Sequence, residues 1–281
     1  MYSALSPGAI GVRVASLEEA IAAARKAGFA GVEFSPGEVA DRVETQGVDA
    51  IRRIFEEAGI RPAGFGLPVD WRGDEAAWQR DLALLPRLAQ AAAAIGGGRT
   101  MTWIMPCSNT LPFPENRAFH VKRFQPIAQV LAEHGCRLGL EFIGTKTLRD
   151  SQQYPFIYRM EEMLAMAADI GPNVGILLDT WHWYTSGGTL EDLRALRPEQ
   201  VVYVHVNDAP ADVPVEAQID NVRALPGETG VIDIAGFLQA LRDIGYNGPV
   251  TPEPFSEKLR ALPSDDDRLR LIGESMRRIG L

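Results

Sequence analysis

Cysteine and histidine are scarce in this sequence, with two cysteines and four histidines among 281 residues. The cysteines, Cys107 and Cys136, do not form a C-x-x-C motif. A disulfide framework needs more cysteine pairs, and a structural zinc ribbon needs paired C-x-x-C motifs. Both kinds of fold are therefore excluded, and we expect two reduced thiols.

An excess of positive charge is also absent. The chain has 28 lysines and arginines against 37 aspartates and glutamates, so its formal net charge is -9. Contacts with phosphate backbones need a basic patch, and the sequence contains none. This balance argues against a nucleic-acid partner and favours a small polar molecule.

Long apolar segments are missing as well. The longest are interrupted by Pro86, Arg87 or the glycines at 96–98, and the first residues lack a basic region followed by an apolar stretch. A membrane span or a secretory leader would need such a stretch. We therefore expect no membrane association and predict a soluble protein of the cytoplasm.

Short apolar, β-branched runs alternate with longer helical patterns along the whole chain. Such alternation is typical of βα units around a parallel sheet, and eight strands make a barrel. Residues 1–281 are thus predicted to form a single-domain α/β protein, a (β/α)8 TIM barrel. The predicted strands lie near 4–10, 31–34, 60–66, 99–105, 136–142, 173–179, 200–206 and 249–253.

Helical patterns fill the intervals between these strands, and the first begins at Ser16-Leu-Glu-Glu, which has the form of a capping box. The other helices are predicted at 48–58, 74–94, 117–134, 157–170, 189–196, 233–244 and 266–279. Two connections, 143–156 and 207–232, are longer than a barrel needs. Both follow the carboxyl end of a strand, where barrel active sites are built.

Four ionisable residues stand at or near the ends of four successive predicted strands: Glu141, Asp179, His205 and Glu253. Strand alternation turns them inward, so they converge at one rim of the barrel. Three carboxylates packed together repel one another unless protons or a cation neutralise them. One divalent ion would do so, and oxygen and imidazole ligands suit Mn, Mg, Co or Zn equally. The alternative is a set of paired or protonated polar groups inside the barrel.

These residues carry a family resemblance. In order, Glu141, Asp179-x-x-His182, His205-Val-Asn-Asp208 and Glu253 resemble the xylose isomerase-like sugar phosphate isomerase/epimerase superfamily, which includes relatives of D-tagatose 3-epimerase and inosose dehydratase. The resemblance implies that Glu141, Asp179, His205 and Glu253 bind one metal ion. It also implies that the two glutamates act as acid and base on opposite faces of a sugar-like ketone, through a metal-stabilised enediolate.

Four further residues are predicted to bind the substrate. His182 and Arg223 resemble residues that contact substrate oxygen atoms in the epimerases. Trp103 ends the fourth strand and is suited to form an apolar wall against the sugar carbons. Lys146 stands where ketose epimerases tend to carry an acidic residue, and with Arg149 it suggests an anionic group or an extra carbonyl on the substrate.

Other functions stay open at this stage. A lyase of the inosose dehydratase type would share the first proton abstraction, and a sugar-binding protein would keep the ligands without turnover. A phosphodiesterase with a three-metal cluster resembling endonuclease IV needs more imidazoles, and His120 and His134 are predicted to lie on the surface. Both a monomer and a homo-oligomer remain open, since members of the superfamily often assemble through their outer helices.

Overall fold

The computed structural model describes all 281 residues, and at its centre eight parallel strands form a closed barrel. Each strand pairs with the next along the chain, and the last pairs with the first. The predicted (β/α)8 TIM barrel is confirmed. The strands β1 to β8 are Tyr2–Leu5, Gly31–Glu33, Arg61–Gly66, Arg99–Trp103, Arg137–Glu141, Val174–Asp179, Val201–Val206 and Pro249–Pro252.

Helices surround the barrel, and none of them is long and apolar enough to span a bilayer. At the start of the first helix, the Ser16 hydroxyl accepts a hydrogen bond from the Glu19 amide, as expected of an N-cap. The helices α1 to α12 are Leu17–Ala27, Pro36–Gln46, Val48–Ala58, Glu75–Ala94, Phe113–Glu133, Lys146–Arg149, Met160–Ile170, Thr180–Thr185, Leu190–Arg194, Ile234–Asp243, Glu257–Arg260 and Asp265–Arg278.

The structure corrects the prediction in two places near the N-terminus. The first strand, predicted at 4–10, ends at Leu5, because Pro7 has no amide hydrogen to pair and Gly8–Ile10 form a 3-10 turn. The helix α2 was not predicted. Its start was nevertheless encoded, since Ser35 caps it and Pro36 occupies its first turn.

Alternation of side chains along the strands separates two apolar layers. Inside the barrel, below the rim, side chains from five strands form a small apolar cluster. Val204 and Val206 of β7 belong instead to the larger core between the strands and the helices. The inner cluster consists of Ala4, Ala63, Met101, Leu177 and Tyr203. The residues two positions beyond Leu177 and Tyr203 are Asp179 and His205, so the same alternation directs both into the barrel mouth.

A buried aspartate orders the long connection after β7. The carboxylate of Asp208 accepts hydrogen bonds from the backbone amides of Ala209, Thr229, Gly230 and Ile232, at 2.8 to 3.1 Å. These bonds tie the end of the 207–232 connection to its beginning. The segment between them is thereby held over the mouth of the barrel.

His120 is buried in helix α5, contrary to the prediction that it lies on the surface. It is 5% exposed, and its ring packs against Trp71 and Phe156, with centroids 5.1 and 4.9 Å apart. Its Nδ1 lies 2.7 Å from the carbonyl oxygen of Asn116 and donates to it. Burial lowers the pKa of His120 to about 4, so the ring is neutral in the folded protein.

This burial predicts an acid-sensitive component of stability. The pKa of an unfolded histidine is about 6.5, so between pH 6.5 and 4 the unfolded chain takes up a proton that folded His120 does not. Between pH 7 and pH 5, the free energy of unfolding should therefore fall by about 2 kcal/mol more in the wild type than in His120→Phe. Urea unfolding at both pH values measures the difference, and equal losses would contradict a neutral buried ring.

Candidate active site

The structure brings together the four ionisable residues at the strand ends. Glu141 ends β5, Asp179 ends β6, His205 lies near the end of β7, and Glu253 follows β8. One ligand atom from each lies within 4.8 Å of the others. Glu141, Asp179 and His205 are buried, and Glu253 is partly buried.

Two atoms of this cluster lack hydrogen-bond partners although they are buried: Glu141 Oε1 and His205 Nδ1. His205 Nδ1 lies 3.6 Å from Glu141 Oε1 and 3.5 Å from Glu253 Oε2. Ligands about 2.1 Å from one divalent ion are roughly 3 to 4.3 Å apart, close to this spacing. Unpartnered buried polar atoms are costly, and an ion between them would satisfy both. The residues present therefore fit one divalent ion.

The charges in the cluster are strongly perturbed. Burial raises the pKa of Glu141 to about 8, although the His205 ring partly opposes this shift. For Glu253, burial acts in the same direction, but the positive charges of His205 and Arg223 outweigh it and lower the pKa to about 2. Burial likewise disfavours a charged His205, yet Glu253 and Glu141 hold its pKa well above the ordinary value. The carboxylates thus need positive charge beside them.

Both carboxylate oxygens of Asp179 are held in place. Oδ1 accepts from the Trp181 amide at 2.8 Å and from the Asn207 side chain at 2.9 Å, and Oδ2 accepts from Arg223 at 2.8 Å. Asp179 also caps helix α8, so the end of β6 and the start of that helix fix its position together. A carboxylate fixed in this way is suited to hold a ligand with little loss of side-chain entropy.

Arg223 is the cation of the cluster and comes from the connection ordered by Asp208. Its guanidinium contacts Asp179, donates to Glu253 Oε2 at 3.1 Å and donates to Asp220 Oδ1 at 3.1 Å. The ring of Phe255 lies 4.7 Å from the guanidinium carbon. Phe255 has a φ of 38°, a left-handed backbone conformation that side chains rarely adopt.

His182, in helix α8, is fully buried beside the cluster. Its Nδ1 accepts a hydrogen bond from the Gly144 amide at 3.2 Å, and burial lowers its pKa to about 3. The ring is therefore neutral, and its proton lies on Nε2. Nε2 is 3.3 Å from Arg223, which can only donate, so with the proton on Nε2 this contact is not a hydrogen bond. The nearest acceptors are Asp220 Oδ1 at 3.8 Å and Glu141 Oε1 at 4.0 Å.

The two remaining predicted substrate residues lie in different environments. Trp103 stands beside Glu141 in the register between β4 and β5, and it is 45% exposed at the mouth. Lys146 begins the short helix α6, and its ammonium pairs with Asp150. The structure does not bring Lys146 into the four-residue cluster.

Sequence reasoning did not assign three residues of this region. Asn207 and Asp220 orient Asp179 and Arg223, and Glu33 at the end of β2 accepts a hydrogen bond of 2.9 Å from the Tyr203 hydroxyl. For Asn207, the alternation of side chains along β7 continues to this residue, directly after the strand, and predicts that it faces inward. Glu33 could have been found from its position at the end of a strand. No feature of the sequence pattern distinguishes Asp220.

The chain is similar to solved structures and to a known sequence family. The model of the xylose isomerase-like TIM barrel family matches residues 21–279. A xylose isomerase domain protein from Alicyclobacillus acidocaldarius subsp. acidocaldarius superposes with a TM-score of 0.85 at 31% identity. That match covers 99% of this chain and 97% of the other.

Curated relatives match over shorter stretches. An inosose isomerase of Bacillus licheniformis is 26% identical over 153 residues, which cover 53% of this chain and 51% of that protein. A 3-dehydroshikimate dehydratase of Pseudomonas putida is 31% identical over 137 residues, covering 48% of this chain and 21% of that protein. The matched part of the chain thus spans about half of the first relative and a fifth of the second.

The geometry predicts one divalent-ion site per chain. Titration of Mn²⁺ into protein treated with a chelator should give a stoichiometry near one, measured by calorimetry. Asp179→Asn should weaken binding by roughly 100-fold or more, because even residues that only orient ligands contribute about 10- to 100-fold.

The matched control is Glu199→Gln, which removes an exposed carboxylate far from the cluster and should bind Mn²⁺ as the wild type does. Unchanged affinity in Asp179→Asn would show that the ion, if bound, lies elsewhere.

Proposed function

The chain belongs to the xylose isomerase-like TIM barrel family, and we propose that it is a metal-dependent isomerase or epimerase of a sugar, keto-inositol or related polyhydroxy ketone. The family match and the similar solved structure confirm the family resemblance predicted from the sequence. One observation carries the proposal: two glutamates flank one imidazole at the barrel mouth, each with a carboxylate oxygen within 3.6 Å of His205 Nδ1.

Glu141, Asp179, His205 and Glu253 would hold the ion, which is Mn, Mg, Co or Zn by the chemistry of its ligands. When bound, a divalent ion supplies positive charge beside the carbonyl and neighbouring hydroxyl oxygens of a substrate, and this charge makes the adjoining C–H more acidic. The cluster thus serves both to hold the ion and to place the substrate's reacting carbon between two carboxylates.

Proton transfer is assigned to the two glutamates. They come from β5 and from the end of β8, with β6 and β7 between them, so they approach a substrate in the mouth from two sides. In an epimerase, one carboxylate removes the proton on its face of the carbon, and the other carboxyl group returns a proton on the opposite face. The opposite pKa shifts of Glu141 and Glu253 show that the two carboxyl groups lie in different electrostatic environments.

Two buried donors are assigned to the substrate's oxygen atoms. The Nε2–H of His182 is neutral and fixed by the Gly144 amide, and the Arg223 guanidinium is fixed by Asp220. Both would donate to hydroxyl or carbonyl oxygens and so orient the ketone. Trp103 would cover its carbon face from β4.

A dehydratase is the second candidate, favoured by the similarity to the Pseudomonas putida 3-dehydroshikimate dehydratase. The first step would be the same removal of a proton beside a carbonyl. The subsequent loss of a hydroxyl group from the next carbon, rather than the return of a proton to the substrate, distinguishes the two reactions.

Isotope exchange tests the proposal. In heavy water with Mn²⁺, the wild type should place deuterium on the carbon beside the carbonyl of a ketose or keto-inositol, detected by mass spectrometry and NMR. Glu141→Gln and Glu253→Gln should slow this exchange by roughly 100-fold or more, since each loses an acid or base. The product mass separates the candidates, because isomerisation conserves it and dehydration lowers it.

The metal content of each variant must be measured beside its exchange rate, because both glutamates are also assigned as ligands. Glu257→Gln removes an exposed carboxylate in α11 and serves as the control. Equal exchange in the wild type and a metal-loaded Glu141→Gln would remove Glu141 as the base.

A further inference from the structure

Arg72, in the connection after β3, is held between two tryptophans. Its guanidinium carbon lies 4.0 Å from the ring centroid of Trp71 and 4.0 Å from that of Trp103. One of its N–H groups also donates to the carbonyl oxygen of Trp103. With both faces covered by indole rings, the guanidinium is fixed, and only its edge is left to bind other groups.

The two tryptophans tie Arg72 to the rim of the barrel. Trp71 is 3% exposed, and its indole N–H donates to the Thr102 hydroxyl on β4 at 3.3 Å. Trp103 ends the same strand and stands beside Glu141 in the strand register. The Arg72 guanidinium therefore packs on the residue that pairs with Glu141, a candidate metal ligand.

The charge of Arg72 is not neutralised by the protein. Arg72 forms no ion pair, and the one carboxylate whose charge it feels is Asp70, which accepts from the Gly73 amide at 2.9 Å. The residue is exposed, but its guanidinium is partly withdrawn from water between the rings, and this desolvation lowers its pKa to about 10. A bound anion would offset that cost.

Other cations near the mouth are already engaged. Lys146 pairs with Asp150, and Arg149 donates to the Gly144 carbonyl at 2.8 Å while covering the Tyr158 ring. Arg223 is surrounded by the carboxylates of the cluster. The sequence suggested that Lys146 and Arg149 bind an anionic group of the substrate. Arg72 is better suited to this role, because it forms no ion pair.

From these contacts we propose that the edge of Arg72 binds an anionic group of the substrate, a carboxylate or a phosphate, while the four-residue cluster takes its carbonyl end. The proposal rests on the proposed function, because it names acidic polyhydroxy ketones as the substrate class of the same site. Guanidinium edges match carboxylate and phosphate oxygens in a bidentate geometry. Neutral ketones of the same size would leave this donor edge unused.

The test compares three ligands in calorimetric titrations of the Mn²⁺-loaded protein. These are a neutral keto-inositol, the carboxylate-bearing 3-dehydroshikimate and D-fructose 6-phosphate. At least one of the two anionic ligands should bind the wild type more tightly than the keto-inositol does. Tighter binding of 3-dehydroshikimate would indicate a carboxylate site, and tighter binding of D-fructose 6-phosphate would indicate a phosphate site. Arg72→Gln should weaken that binding by roughly 10- to 100-fold and change the affinity for the keto-inositol much less.

Two variants sharpen this comparison. Arg72→Lys keeps the charge but not the planar edge, so it should retain only part of the affinity. Arg80→Gln removes an exposed charge from helix α4 and should bind all three ligands as the wild type does.

Either of two results overturns the proposal: a wild type that binds neither anionic ligand more tightly than the keto-inositol, or equal anion affinity in the wild type and Arg72→Gln. The proposed function fails separately, if the ligands bind yet none acquires deuterium in heavy water.

Discussion

Three carboxylates on the ends of β5, β6 and β8 meet in one barrel mouth, and they can be ionised together only if positive charge lies among them. The chain itself brings His205 and Arg223 against them. This requirement accounts for much of the surrounding structure. Asp208 orders the connection that carries Arg223, and the strained backbone at Phe255 places an aromatic ring against the guanidinium. Two buried atoms, Glu141 Oε1 and His205 Nδ1, still lack partners, and one divalent ion between them would complete the charge balance.

Under the proposed function, the same arrangement would be able to serve isomerisation, epimerisation or dehydration. Removing a proton beside a carbonyl needs a fixed positive charge at the oxygen and a carboxylate at the carbon. The outcome of the reaction then depends on which second group reaches the substrate. Return of the proton by an opposite glutamate gives epimerisation or isomerisation, and departure of a neighbouring hydroxyl gives dehydration. Under the proposals made above, Arg72 and Trp103 at the rim would determine which ketone binds and in which orientation.

The barrel and the convergence of Glu141, Asp179, His205 and Glu253 could be predicted because strand alternation is local and has a period of two residues. The features that escaped prediction depend on long-range contacts. The burial of His120 follows from packing against Trp71 and Phe156, which lie far from it in the sequence. The position of Arg72 depends on the indole ring of Trp103 as well as on its neighbour Trp71, and no sequence pattern predicts the contact with Trp103. The pairing of Lys146 with Asp150 is an exception, since these residues lie one helical turn apart.

One ion bound by four strand ends is the feature on which the proposed chemistry depends most directly. Crystals grown with Mn²⁺ and measured near the manganese absorption edge would locate it by anomalous diffraction. We expect one anomalous peak per chain, about 2.1 Å from one ligand atom each of Glu141, Asp179, His205 and Glu253. A structure with no anomalous peak at this position would contradict a metal centre at the barrel mouth.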